Sequence, residues 1–172
     1  MLTSTAELEN ILTDPNLVLI DTRSFREYSQ GHIPNAVNLD LFSFHWIDTS
    51  KNGIESFNEQ ARKIFSYAGV TEKKNVVFYE TVSGMLAARG VWILQYFSHP
   101  QASMLDGGIT KWSDEGRITT TKPSNFKPAN FSGMPNPKIL AGFQYILDNL
   151  NKITILDVRS KGEFDGTLVR AA

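Results

Sequence analysis

Short continuous apolar runs alternate along the chain with stretches in which apolar residues recur at helical spacing. Val18-Leu19-Ile20, Val76-Val77-Phe78-Tyr79 and Ile153-Thr154-Ile155-Leu156 are rich in β-branched and aromatic residues without polar alternation. That is the pattern of strands covered on both faces. Ser103-Met104-Leu105 reads as a shorter strand. Over residues 56–68, Phe57, Ala61, Ile64, Phe65 and Ala68 share one helical face, Ser56 with Glu59 offers a capping box, and Gly69 supplies the stop. Ser24 with Glu27 offers a second box on a shorter helix that Gly31 ends, and further helices are expected over residues 84–97 and 109–115, the latter closed by Gly116. Strands alternating with helices predict an α/β domain, a central, mainly parallel sheet flanked by helices.

After Gly116 the character changes. Residues 117–137 hold four of the seven prolines, among Thr, Ser, Asn and Lys, which is linker composition. Beyond the linker the chain repeats its beginning: Leu19-Ile20-Asp21-Thr22-Arg23-Ser24-Phe25-Arg26-Glu27-Tyr28 aligns without gaps on Ile155-Leu156-Asp157-Val158-Arg159-Ser160-Lys161-Gly162-Glu163-Phe164, at an offset of 136 positions. Each copy is preceded by a helix-like stretch, 6–12 and 141–150. The expected organisation is one complete domain over 1–116, a linker over 117–137, and the opening of a second, similar domain over 138–172 that begins with its first strand. That opening has no sheet partner of its own and is not expected to fold independently, so the end at Ala172 reads as a cut through a longer protein.

Lys and Arg number 17 against 18 Asp and Glu, a net charge of -1, and no block of like charge occurs anywhere. Such a chain offers no field to draw phosphate backbones or anionic lipid, so neither nucleic acid nor a membrane is an expected partner. The first residues lack a basic stretch followed by an apolar one, and no apolar run reaches the length of a membrane span, so a soluble, cytoplasmic protein is expected. No motif asks for a cofactor. The absence of any cysteine removes disulfides, thiolate nucleophiles, persulfides and thiolate-bound zinc together.

Three ordered blocks carry a family resemblance. The first is Asp21-Thr22-Arg23, Glu27-Tyr28 and Gly31-His32-Ile33-Pro34-Asn35-Ala36; the second runs from Val76-Val77-Phe78-Tyr79 through Gly84 to Ala87-Ala88-Arg89 and Trp92; the third is Leu105-Asp106-Gly107-Gly108-Ile109 with Trp112 and Gly116. In these the chain resembles the rhodanese family, specifically its tandem-domain thiosulfate and 3-mercaptopyruvate sulfurtransferases. The resemblance implies two similar α/β domains, the first without a nucleophile and the second with an active-site cysteine on the loop after its central strand. That cysteine takes a sulfane sulfur from thiosulfate or mercaptopyruvate and passes it to cyanide or a thiol. Backbone N–H groups at a strand-to-helix turn make a cup that lowers a thiol pKa and holds an anion.

Here the corresponding loop is Glu80-Thr81-Val82-Ser83-Gly84, and Glu80 stands where an active copy has cysteine. A carboxylate is a poor acceptor for sulfane sulfur and puts negative charge into a cup meant for anions. This domain is therefore expected to be inert, with no catalytic residue in the chain and the cysteine expected near position 216 by the repeat offset. The implied partners are a small anionic sulfur donor, a thiol or cyanide acceptor, and the remaining C-terminal catalytic domain, covalent or as a separate chain. Arg170 is the one substrate contact nominated, by analogy with an arginine-bearing segment after the Glu-Phe-x-Gly stretch of bacterial and archaeal-type relatives. Glu163 stands where vertebrate-type members have a substrate-binding arginine, which leaves the donor open.

Other candidates read as structure. Asp21 with Arg23, and Asp157 with Arg159, sit at strand ends in both copies and are expected to be intradomain ion pairs. His32 is expected to fix a turn by bonding backbone, and Glu80 to be either a built-in anion filling the cup or an ordinary carboxylate beside a helix N-terminus. Phe42, Phe44, Trp46, Trp92, Tyr96, Phe97 and Trp112 are assigned to core and interdomain packing. Asp40, His45 and Asp48 make a weak metal set, and no metal is expected. Ser83, His99 and Asp106 do not make a hydrolase triad, since Ser83 lies outside a G-x-S-x-G elbow and their order is wrong for that family. The rival reading is a cysteine-free rhodanese-like binding or regulatory module that docks a partner through the Glu80 loop; the repeat argues against it.

Overall fold

A computed structural model of the chain describes residues 1–44 and 48–169, which divide into two compact units, Met1–Leu140 and Ala141–Ala172. In the first unit five strands, β1 (Leu2–Thr3), β2 (Leu17–Asp21), β3 (Val37–Asn38), β4 (Asn75–Tyr79) and β5 (Ala102–Leu105), form one sheet in the order β1-β5-β4-β2-β3. Every pairing in it is parallel. Five helices connect and flank the strands: α1 (Thr5–Ile11), α2 (Phe25–Gln30), α3 (Lys51–Tyr67), α4 (Met85–Tyr96) and α5 (Gly108–Asp114).

Successive strand residues point to opposite faces, and here both faces are covered, which is why the central strands read as unbroken apolar runs. Val18, Ile20, Val76, Phe78 and Ala102 pack with Ala61 and Phe65 of α3 and Val91 and Leu94 of α4. Leu19, Val77, Tyr79 and Leu105 pack on the other face with Leu8 of α1 and Ile109 and Trp112 of α5. The two-residue edge strands β1 and β3 are too short to leave a period in the sequence.

Helix starts obey local chemistry. Ser4 with Glu7 and Ser24 with Glu27 form complete capping boxes on α1 and α2. Helix α3 begins earlier than Ser56: Ser50 is its cap, accepting from the Gly53 N–H at 3.1 Å, and Ser56 lies inside the helix. Gly53 makes this start possible, since a Cβ there would fall 2.3 Å from the Asp48 carbonyl oxygen.

Residues 117–137 carry no long element, yet they lie within the first unit. Phe131 is only 2% exposed, packed edge-to-face on Phe65 and Phe97 with ring centroids 5.7 Å apart in each case. Proline-rich composition concealed a core residue. The seven aromatics also divide: Tyr96, Phe97 and Trp112 are buried and Phe44 partly so, but Phe42 is 68% and Trp92 41% exposed, so these two are not core residues. Trp46 and His45 lie outside the described residues.

The second unit holds helices α6 (Phe143–Asn149) and α7 (Lys161–Phe164). The strand expected at Ile153-Thr154-Ile155-Leu156 is not formed; Ile155 is 58% and Leu156 80% exposed. A strand exists by pairing, and no described segment pairs with these residues. No helix among the described residues is long and apolar enough to cross a membrane.

Candidate functional site

The sheet order places β2 and β4 side by side in parallel register, while the chain leaves β2 toward β3 and leaves β4 in the opposite direction toward β5. This is a topological switch point, and the crevice beyond the carboxyl ends of its strands is where such sheets bind ligands. The loop after β2 brings Thr22, Arg23 and Ser24 there, and the loop after β4 brings residues 80–84. Between them opens a cleft of about 260 Å³ lined by Arg23, Ser24, Glu27, Asp40, Phe42, Glu80, Thr81 and Leu86. A larger groove, about 500 Å³, lies at the opposite ends of the strands among Leu12, Leu17, Gly69, Lys74 and Phe126. It lies at the amino ends of the strands, away from the switch-point crevice.

The Glu80 side chain turns back onto the start of α4. Its Oε1 accepts from the Leu86 N–H at 2.7 Å and the Ala87 N–H at 3.0 Å. These are first-turn amides of a helix whose own cap, Gly84, has no side chain to offer. Glu80 is thus an N-cap supplied from outside the helix, its charge favoured by the helix dipole. Both readings of Glu80 share this geometry, a carboxylate set against the N-terminus of α4. Gly84 makes room for it, because a Cβ there would lie 2.8 Å from the carboxyl carbon.

The loop backbone is gripped separately by α5. Ile109 and Thr110 N–H groups donate to the carbonyls of Glu80 and Thr81 at 2.9 and 3.0 Å, and the Gly107 N–H donates to Ser83 Oγ at 2.7 Å. Gly107 and Gly108 hold left-handed φ values of 78° and 60°, and a Cβ on Gly108 would fall 2.5 Å from the Glu80 carbonyl oxygen. In the sequence, Asp106-Gly107-Gly108 is legible only as a family block. Its task is to bring a helix onto the loop backbone, and the available signal was two adjacent glycines between a strand and a helix.

Across the cleft, Asp21 is fully buried and accepts from Arg23 through four contacts of 2.6–3.2 Å. Arg23 Nη2 also donates to the Gly31 carbonyl at 2.7 Å. Burial works against the Arg23 charge, but bonding to Asp21 outweighs it and raises the guanidinium pKa. Burial, then the nearby Asp21 charge, pushes the Tyr79 hydroxyl well up. With Arg23 neutralised by Asp21, the cleft keeps the charges of Glu27, Asp40 and Glu80, a setting that disfavours anions.

In the second unit Asp157 and Arg159 repeat the same four contacts at 2.5–3.0 Å. Ser160 and Glu163 repeat the capping box. Arg159 bonding holds Asp157 down at about 2. Arg170 lies outside the described residues.

His32 is fully buried, its ring between the carbonyls of Tyr28 and Lys122. Ser83, His99 and Asp106 are not brought together: His99 bonds Thr71 and Gln101, and Asp106 pairs with Lys111 at 2.6 Å. Asp40 accepts from Phe42 and Ser43, and Asp48 from Ser50. Among the described residues no group of three or more His, Cys, Asp or Glu side chains is placed to hold a metal ion.

A parallel five-stranded sheet with this loop at its switch point is the rhodanese fold. The chain belongs to the Rhodanese-like domain family, which it matches over residues 4–115. It is 26% identical over 175 residues to the sulfur carrier protein TtuD of Thermus thermophilus, covering 98% of this chain and 61% of that protein. It is 27% identical to thiosulfate sulfurtransferase of Bos taurus, covering 83% of this chain and 49% of that one. The crystal structure of SseA from Escherichia coli, a 3-mercaptopyruvate sulfotransferase, superposes with a TM-score of 0.79 at 22% identity, over 97% of this chain and 68% of that chain. The chain spans less than two thirds of the length of these curated relatives.

Proposed function

We propose that the chain is the non-catalytic first domain of a tandem sulfurtransferase, residues 1–116, with a linker over 117–137 and the opening of the catalytic domain over 138–172. In this reading the sulfane sulfur of thiosulfate or 3-mercaptopyruvate passes to cyanide or a thiol through a persulfide on a cysteine outside these 172 residues. With thiosulfate, a thiolate attacks the outer sulfur, the S–S bond breaks and sulfite leaves with the bonding pair; cyanide then takes that sulfur as thiocyanate and the thiolate returns. Glu80 fills the nucleophile position of the first domain, which shields one wall of the shared site from water. Arg170 is the proposed contact to the anionic donor, and a soluble, cytoplasmic setting completes the reading.

The observation that carries it is Glu80 itself, its carboxylate bonded to Leu86 and Ala87 in a loop that α5 still holds in place. The sulfurtransferase names of the relatives and the repeated Asp-x-Arg-Ser clamp support it further. Thiocyanate formation from thiosulfate and cyanide tests it. The pure chain should yield none, and adding a cysteine-bearing second-domain polypeptide should give more product than that polypeptide alone. Turnover by the pure chain, or no gain from mixing, would overturn the proposal.

A further inference from the structure

Helix α4 is apolar on the side that faces solvent as well as on the side that faces the sheet. Over Met85–Tyr96 its only charged residue is Arg89. Ala87, Val91, Ile93 and Leu94 are buried, while Met85, Ala88 and Trp92, spaced three and four positions apart, lie exposed along the outer face. A helix that is apolar all round is one that is covered all round.

The outer face continues onto the loops beside it. Arg89 Nη1 donates to the Leu41 carbonyl at 2.8 Å, which ties the 41–42 stretch to α4, and Phe42 lines the same cleft as Leu86. Val82 stands on the Glu80 loop. Phe42 is 68%, Met85 62%, Val82 53% and Trp92 41% exposed. Together they offer apolar surface on the order of 400 Å², within the range of the functional patches of soluble monomers. Trp92 is already braced, its ring 5.7 Å from that of buried Tyr96 with 4° between planes. An aromatic anchor fixed before contact loses little freedom on binding.

We infer that this face, formed by Phe42, Val82, Met85 and Trp92, is the docking surface for the cysteine-bearing part of the second domain. The inference rests on the tandem reading above. The face is continuous with the switch-point cleft, which in that reading is one wall of the shared site. The curated relatives extend well beyond the stretch that this chain covers, so the tandem protein has a domain to place there.

Charge decides between that domain and a second copy of this chain. Glu27, Asp40 and Glu80 line the cleft; the face beside it carries one cation, Arg89, and Arg23 is paired with Asp21. Two copies set face to face would oppose acid to acid. A cup of N–H groups that holds an anion presents positive potential instead, and complements these acids.

Binding of a cysteine-bearing second-domain polypeptide to the 172-residue chain, followed by sedimentation velocity and by the gain in thiocyanate formation, tests this. Phe42→Glu and Met85→Glu should each weaken binding at least about tenfold, the loss expected near the centre of an interface, and reduce the gain in step. Tyr67→Glu is the control: Tyr67 is 54% exposed and packs edge-to-face on Phe126, which lines the groove at the other ends of the strands. It should bind as wild type to within about twofold. Urea midpoints report the folding of each variant, and Met85 opens α4, where the helix dipole favours an acid, so Met85→Glu keeps the fold. Wild-type binding by Phe42→Glu and Met85→Glu would overturn the inference and leave the tandem reading standing. A chain that sediments as a dimer, dissociated by the same substitutions, would give the face to a second copy and overturn it as well. No gain with the unsubstituted chain would overturn the tandem reading and this inference together.

Discussion

Truncating Glu80 should uncap α4 at a predictable cost. The carboxylate accepts two charge-assisted hydrogen bonds, from Leu86 at 2.7 Å and Ala87 at 3.0 Å. In a dry interior bonds to a charged group contribute about 1.5–3 kcal/mol. The cleft is open to water, so in Glu80→Ala the freed amides are rehydrated, and the loss should approach that of a helix cap, about 1–2 kcal/mol. Glu80→Gln keeps an acceptor oxygen but removes the charge beside a 12-residue helix, which costs about 0.3–1 kcal/mol. Urea unfolding followed by tryptophan fluorescence should rank the chains wild type, Glu80→Gln, Glu80→Ala in falling midpoint, with the slope unchanged. Sulfate, free to occupy the vacated amides, should recover more stability in Glu80→Ala than in wild type. If Glu80→Ala matches wild type to within about 0.3 kcal/mol, well below a usual cap, the carboxylate is not holding the helix and the reasoning fails.

Gly84→Ala should displace the Glu80 carboxylate, since its Cβ would sit 2.8 Å from the carboxyl carbon; in a double-mutant cycle the cost should shrink once Glu80 is alanine, and strict additivity would show that the two do not meet. Phe131→Ala should destabilise by about 3 kcal/mol, the low end for a buried phenylalanine because the segment around it can settle inward; a urea midpoint equal to wild type would remove Phe131 from the core. Carboxyl-carbon NMR should titrate Asp157 with a midpoint of about 2. That clamp is present at neutral pH and lost as pH falls through that value. Arg159→Ala should return the midpoint toward the ordinary value of about 3.9, and no movement would exclude the guanidinium as its cause.

The features legible in the sequence are those that short-range chemistry determines. The apolar runs of β2 and β4, the box at Ser24, the stops at Gly31 and Gly116 and the Asp-x-Arg pairs all depend on residues within a few positions of one another. The misplaced start of α3 came from a second serine with a suitable glutamate, whereas Ser50 is preferred because Gly53 lets the first turn close on Asp48. Contacts between distant positions left no such trace. Phe131 among prolines, His32 against Lys122 and the Gly107-Gly108 grip on the Glu80 loop are recognisable only once the sheet has brought them together. At the cleft, the position of Glu80 was legible through a resemblance and the bonds of its carboxylate were not.

The clamp and box of the second unit are formed although Leu156, beside them, is 80% exposed and unpaired. These contacts are made with no strand beside them. Residues 157–165 are linked by side-chain contacts two to four positions apart, Arg159 with Asp157, Ser160 with Glu163 and Lys161 with Asp165. If residues 153–156 gain neighbouring strands, as the proposed second domain requires, the turn that follows them is already formed. That turn would act as a ready-made seed, setting the phase of the incoming strand and shortening the search for its register.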